Sequence, residues 1–157
     1  MPQQEHRFAC RTVWRGEMGE PVDPRSWKRE HAIEMAGKPT LLGSSSGAFF
    51  GDDSRHNPED LLIAALSSCH MLSFLSASAR ARLRIRAYED RAEAVLSRQG
   101  ANFRFTAATL RPRITVAREE DLPKAREMNE LARKICFVAN AVNFPVRDEP
   151  EFLVAGG

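Results

Sequence analysis

The chain is poor in cysteine: Cys10, Cys69 and Cys136 are the only three in 157 residues. So low and odd a count excludes a disulfide-stapled scaffold. Cys-x-x-Cys, His-Glu-x-x-His and both standard glycine-rich phosphate loops are all missing. Those absences argue against the redox, zinc-protease and nucleotide chemistries that depend on them. Charge of one sign is lacking too. Twenty-three basic residues face 21 acidic ones, a net charge of +2. That balance lacks the basic footprint of a nucleic-acid binder or a partner of anionic membranes. The first residues, among them Glu5, Arg7 and Arg11, hold no apolar signal-peptide core. The expectation is a protein of the reducing cytoplasm.

Length and composition point to one ordinary globular domain spanning residues 1–157. A chain of this size buries roughly two-thirds of its unfolded surface without staples. Its 43% hydrophobic and 28% charged residues are typical of a soluble fold. Alternation predicts strands over Phe8–Trp14 and Arg29–Met35, with a polar loop from Gly43 into His56. Further strands are expected over Tyr88–Leu96 and Phe103–Ala117, joined by a turn at Gly100-Ala101-Asn102. The phase slip near Ala107-Ala108 predicts a bulge, and Pro112 predicts an edge strand. A last short strand covers Phe152–Val154.

Two helices stand out. The first begins at Asn57-Pro58-Glu59-Asp60 and runs to about Arg80. Asn suits the cap, proline the first helical position, and the two acids the positive end of the dipole. The uncharged stretch Leu61–Ala79 approaches membrane-spanning length. Its five serines and His70 dilute it, and a helix buried within a protein accounts for it better. The second helix, Asp121 to about Val142, is amphipathic. Strands, helix, strands, helix and a short strand make an α+β fold with two helices packed on antiparallel sheet.

The chemistry centres on Cys69 in the first helix and Cys136 late in the second. Alone, each reads equally as a small buried hydrophobe. The run His56-Asn57-Pro58-Glu59 through Ser68-Cys69-His70, with Cys136 in the second helix, resembles the OsmC/Ohr family of osmotically inducible and organic hydroperoxide resistance proteins. Glu59 lies ten positions before Cys69, as the family pattern has it. The order of elements agrees over nearly the whole chain.

The resemblance implies a thiol peroxidase that works as an intertwined homodimer with active sites at the subunit interface. Cys69 would attack an organic hydroperoxide and become a sulfenic acid. Cys136 would condense with it to a disulfide, and an external dithiol, lipoylated protein in the family, would restore both thiols. No bound cofactor or metal is implied. Glu59 would orient an activating arginine. The family's arginine follows a Trp-x-Gly stretch, but the residues after Trp14-Arg15-Gly16 hold none, so Arg15, Arg25 and Arg29 remain, with Arg29 preferred.

Helix geometry adds a constraint. Ten helical residues span about 15 Å, so Glu59 reaches a Cys69 only from a partner chain. Otherwise Glu59 serves the helix dipole alone. His70 diverges from Cys69 by about 100° around the helix, which favours a structural role. The same divergence disfavours a zinc site of Cys69, His70 and Cys136. The Arg80, Arg82, Arg84 and Arg86 series reads as a solvated face, and Cys10 as a packing residue. Two other functions stay open: a dimer of the same fold that binds a small apolar ligand without peroxidase turnover, and an interaction subunit with inert thiols.

Overall fold

The computed structural model describes residues 5–156. It is α+β, with two helices and nine strands among the described residues. Contacts divide the chain after Leu61 into two compact units.

The first unit carries an antiparallel sheet of three short strands: β1 (Arg11–Trp14), β2 (His31–Glu34) and β3 (Leu41–Gly43), in that order. The first two were expected at greater length, and β3 was not foreseen. In the β1–β2 register Trp14 faces His31, and in β2–β3 His31 faces Gly43. A Cβ at Gly43 would force the His31 ring to move. Trp14 donates its indole N–H to the Lys28 carbonyl at 2.7 Å and meets Trp27 edge to face at 6.1 Å. The loop after β3 is ordered by its own polar groups. Ser46 caps a single 3₁₀ turn, Gly47–Phe49, and Asp53 accepts the Gly47 N–H at 2.6 Å.

Helix α1 (Pro58–Arg80) starts as the sequence predicts. Asn57 accepts the Asp60 N–H at 2.8 Å, and Asp60 accepts the Asn57 N–H in return at 3.4 Å. This reciprocal arrangement is a capping box.

The second unit holds the remainder of α1, helix α2 (Leu122–Ile135) and two three-stranded mixed sheets. One has the order β4 (Ile85–Asp90), β7 (Pro112–Val116), β9 (Glu151–Val154). The other has β5 (Glu93–Gln99), β6 (Asn102–Leu110), β8 (Val146–Asp148). The antiparallel layout is corrected in part: β8 runs parallel to β6, and β9 parallel to β7.

The two long strands expected from the sequence are each split, and for one reason. Tyr88–Leu96 breaks between β4 and β5, and Phe103–Ala117 breaks at Arg111, where the chain passes between sheets. Asp90 holds that corner. One carboxylate oxygen accepts the Arg111 N–H at 2.7 Å and the other accepts the Ser67 hydroxyl at 2.6 Å. Glu149, in the third crossing segment, donates its N–H to Leu110 and accepts from the Arg111 side chain. Pro112 therefore sits at the first position of a central strand and not on an edge. A strand's first residue also tolerates the missing N–H. The register slip pairs Val95 with Ala107 and Leu96 with Phe105, so the extra residue is Thr106, beside the expected position.

The core sits where α1, α2 and β7 meet. Phe74 and Ala77 of α1 pack with Met128 and Ala132 of α2 over Ile114. A second cluster joins Leu66 to Ala108 and Leu110. Helix α1 was expected to be buried on all sides. Within one chain only the face of Leu66, His70, Phe74 and Ala77-Ser78 is buried, while Ala65, Ser68, Leu72, Ser76 and Ala79 are exposed.

Helix α2 ends at Ile135 and not at Val142. Cys136 turns to extended backbone, and the next N–H groups close a tight turn, with Asn140 donating to the Cys136 carbonyl at 3.1 Å. The Asn140 side chain also caps the Lys134 carbonyl at 3.0 Å. The apolar spacing that suggested a longer helix comes from Val138 and Ala139, which pack against the second cluster from this turn. Asp121 makes no capping bond, and its carboxylate lies 3.5 Å from Arg118 instead.

Replacing Asp90 with alanine strands the Arg111 N–H and the Ser67 hydroxyl. The expected loss is about 1–3 kcal/mol of unfolding free energy, the usual penalty for buried polar groups left unpaired. Urea denaturation should show this loss, and a much smaller one for Glu127→Ala, whose Lys124 partner is exposed.

Candidate functional site

The second unit holds both Cys69 and Cys136, which are 67 positions apart in sequence, near enough for one to affect the titration of the other. Cys69 is half-buried at the middle of α1, Cys136 is fully buried just beyond α2, and both are free thiols. Cys69 lies close enough to bear on the titration of Cys136. Burial pushes the Cys136 thiol up to about 11, and the hydrogen bond and charge of Cys69 push the same way. The backbone N–H groups of Ala139 and Val138 work in the opposite direction. In chemical terms Cys136 is held as a neutral thiol beside Cys69.

The groups around the pair are polar and buried. His70 is 1% exposed, and its Nε2 lies 3.2 Å from Asn129 Oδ1. Asn129 donates to Asp148 Oδ2 at 2.5 Å. This network ties α1 to α2 and β8 through the Asn129 side chain. Burial raises the Asp148 carboxyl, against the hydrogen bond from Asn129. Burial also raises the Tyr88 hydroxyl, reinforced by the nearby charges of Asp90, Asp148 and Cys136. Sequence reasoning missed Tyr88, Asn129 and Asp148. Asn129 had a usable signal, since it follows Met128 on the apolar stripe of an amphipathic helix. Asp148 had none.

The first unit contains Arg29 and Glu59, which line one cavity of about 590 Å³. Its wall also includes Trp14, Met18, Trp27 and Phe49, so its character is aromatic and apolar. Arg29 stacks on the Trp27 ring at 4.2 Å and on Phe50 at 5.6 Å. Its guanidinium donates to the carbonyls of Pro24 (2.7 Å), Trp27 (2.9 Å) and Phe50 (3.3 Å). It forms no ion pair with Glu59. Of the other two arginines considered, Arg25 lies 5.7 Å over Phe50, while Arg15 lines a separate shallow pocket with Lys28. Cys10 is exposed and not a packing residue. No group of three or more His, Cys, Asp or Glu side chains suited to a metal occurs among the described residues.

The site thus consists of one thiol on a capped helix that begins Asn-Pro-Glu and a second thiol just beyond α2, within an α+β fold. The OsmC-like protein family model matches residues 51–149, and the chain belongs to that family. Among solved structures it is similar to an OsmC-like protein of unknown function from Vibrio cholerae. The identity there is 29% and the TM-score 0.83, over 93% of this chain and 99% of that one. It is also similar in fold to an organic hydroperoxide resistance protein from Elizabethkingia anophelis, at 15% identity and TM-score 0.69, over 98% and 99% of the two chains. The organic hydroperoxide resistance protein OhrB of Bacillus subtilis shows 18% identity and TM-score 0.60, over 92% and 98%. A sequence comparison with curated proteins finds no match.

The raised Cys136 thiol carries a stability consequence. The folded chain holds this proton more tightly than the unfolded chain, so the contribution is complete below about pH 9 and is lost as pH climbs through about 11. Urea midpoints across that window should fall less steeply for Cys136→Ser than for the parent chain.

Proposed function

We propose that this protein is a cysteine peroxidase for organic hydroperoxides. The observation that carries the reading is the proximity of Cys69 to the buried Cys136, whose thiol burial keeps neutral. The thiolate of Cys69 attacks the distal oxygen of the hydroperoxide. The O–O bond breaks, Cys69 becomes the sulfenic acid, and the leaving alkoxide takes a proton to become the alcohol. Cys136 then attacks the sulfenic sulfur, and the disulfide forms with loss of water. This step protects Cys69 from irreversible overoxidation. An external dithiol, of lipoyl type, returns two electrons by thiol–disulfide exchange and leaves as its own disulfide.

The working unit in this reading is a homodimer in the cytoplasm. The exposed Ala65, Ser68, Leu72, Ser76 and Ala79 stripe of α1 supports it, since an apolar helix seeks cover on every face. Glu59 and Cys69 lie on one unbroken helix about 15 Å apart. Glu59 of the partner subunit, with the arginine of the same aromatic cavity, therefore serves this Cys69. A guanidinium beside the sulfur favours the thiolate and hydrogen-bonds the departing oxygen. The aromatic wall suits an organic hydroperoxide better than hydrogen peroxide.

One observation favours a second reading, a dimer that binds a small apolar ligand without turnover. Arg29 already has three carbonyl partners and does not pair with Glu59. Stopped-flow consumption of cumene hydroperoxide, with dihydrolipoamide as reductant, separates the two. The peroxidase reading expects turnover that Cys69→Ser abolishes. It also expects Arg29→Ala to slow the peroxide step by about tenfold or more, a typical loss for a charge-stabilising donor. A folded protein with titratable thiols and no turnover would favour the ligand binder.

A further inference from the structure

The junction between α1 and β4 carries positive charge that nothing nearby neutralises. From Leu61 to Tyr88 the chain holds Arg80, Arg82, Arg84 and Arg86 and no aspartate or glutamate. All four arginines are exposed, and none forms an ion pair or side-chain hydrogen bond among the described residues. Elsewhere in this unit Arg91, Arg111, Arg113, Arg118 and Arg133 each hold a carboxylate. Packing fixes which way the free series faces. Ala81, Leu83 and Ile85, which alternate with it, are half-buried against the cluster of Phe74 and Ile114. Seven residues reach at most about 20 Å, so four like charges are concentrated on one short stretch of surface.

The backbone adds a second observation. Helix α1 closes on a Schellman motif: the Leu83 N–H donates to the Ser78 carbonyl at 2.9 Å, and the Arg82 N–H to the Ala79 carbonyl at 3.0 Å. The residue at the usual glycine position of that motif is Arg82, at φ +55°. A side chain in the left-handed region costs free energy that glycine would not. The chain thus bears both backbone strain and like-charge repulsion to keep an arginine that its own fold does not use.

Acids border this patch without entering it. Ala117 donates its N–H to the Arg84 carbonyl, and Glu120 and Asp121 just beyond are held by Arg118. On the other side Glu89 is held by Arg91. A compact acidic surface fits between these borders, whereas an extended polyanion would run onto them. The patch is also remote from the sulfurs: Arg80 stands about 16 Å along α1 from Cys69. A partner seated here reaches the cysteine pair only through a flexible arm.

We propose that Arg80, Arg82, Arg84 and Arg86 dock an acidic protein domain that carries the reducing dithiol on a long arm, such as lipoate amide-linked to lysine. This rests on the peroxidase reading and identifies how its reductant is held. One thiolate of the arm attacks the Cys69–Cys136 disulfide and forms a mixed disulfide. The second thiol displaces it, the arm leaves as a cyclic disulfide, and its two protons and two electrons restore both cysteine thiols.

Steady-state reduction of cumene hydroperoxide by the full chain tests this with two reductants: free dihydrolipoamide, and a reduced lipoyl-lysine domain of net negative charge. The KM for the domain should rise about tenfold in Arg84→Ser/Arg86→Ser, and in the parent chain it should rise with ionic strength. Free dihydrolipoamide should serve parent and variant equally. Arg82→Gly separates docking from folding. Its urea midpoint should be no lower than the parent's, because glycine relieves the strain, yet its KM for the domain should rise. Turnover with both reductants that the substitutions leave unchanged overturns the docking surface and leaves the peroxidase reading standing, as does turnover with the free dithiol alone. No turnover with either reductant overturns the peroxidase reading, and the docking surface with it.

Discussion

Everything at the cysteine pair depends on how α1 is rotated, and burial of Phe74 sets that rotation. Phe74 and Ala77 share a dry cluster with Met128 and Ala132 of α2 and Ile114 of β7. Truncating a buried phenylalanine typically costs about 3–5 kcal/mol, so α1 turns away from this packing only at high cost. With Phe74 inward, His70 points into the same interior one turn earlier. Cys69 then falls on the flank of the buried face, half-covered, where the end of α2 delivers Cys136. The buried His70–Asn129–Asp148 network holds the same three elements from the polar side.

The end of α2 matters as much as its packing. A helix running to Val142 would carry Cys136 on a regular turn. Its termination at Ile135 instead puts Cys136 in extended backbone, fully buried, with the N–H groups of the following turn near its sulfur. One thiol is thereby partly accessible and the other fully sheltered. In the peroxidase reading that asymmetry is the division of labour between the attacking and the resolving cysteine.

Much of this was legible in the sequence. The Asn57-Pro58-Glu59-Asp60 cap, the Gly100 turn and the apolar stripe of α2 are local signals, and local signals read true. The pairing of Cys69 with Cys136 rested on a family resemblance and on two helices; in the fold Cys69 is near enough to influence the titration of Cys136. What escaped was non-local. Asp90 splits two strands by accepting from Arg111 and Ser67, bonds that no periodicity announces. Helix α2 seemed longer because Val138 and Ala139 continue its apolar spacing from a turn. Asn129 and Asp148 look like ordinary surface residues until β8 is laid parallel to β6. Arg29 was chosen among three arginines, and it does share a cavity with Glu59, but held by carbonyls that the sequence does not reveal.

The most direct test of the central claim is peptide mapping by mass spectrometry after one equivalent of cumene hydroperoxide, in the absence of reductant. The account predicts a Cys69–Cys136 disulfide in the folded protein, with Cys10 left free, and a Cys69 sulfenic acid trapped in Cys136→Ser. Unmodified Cys69 and Cys136 after exposure to the peroxide would contradict it.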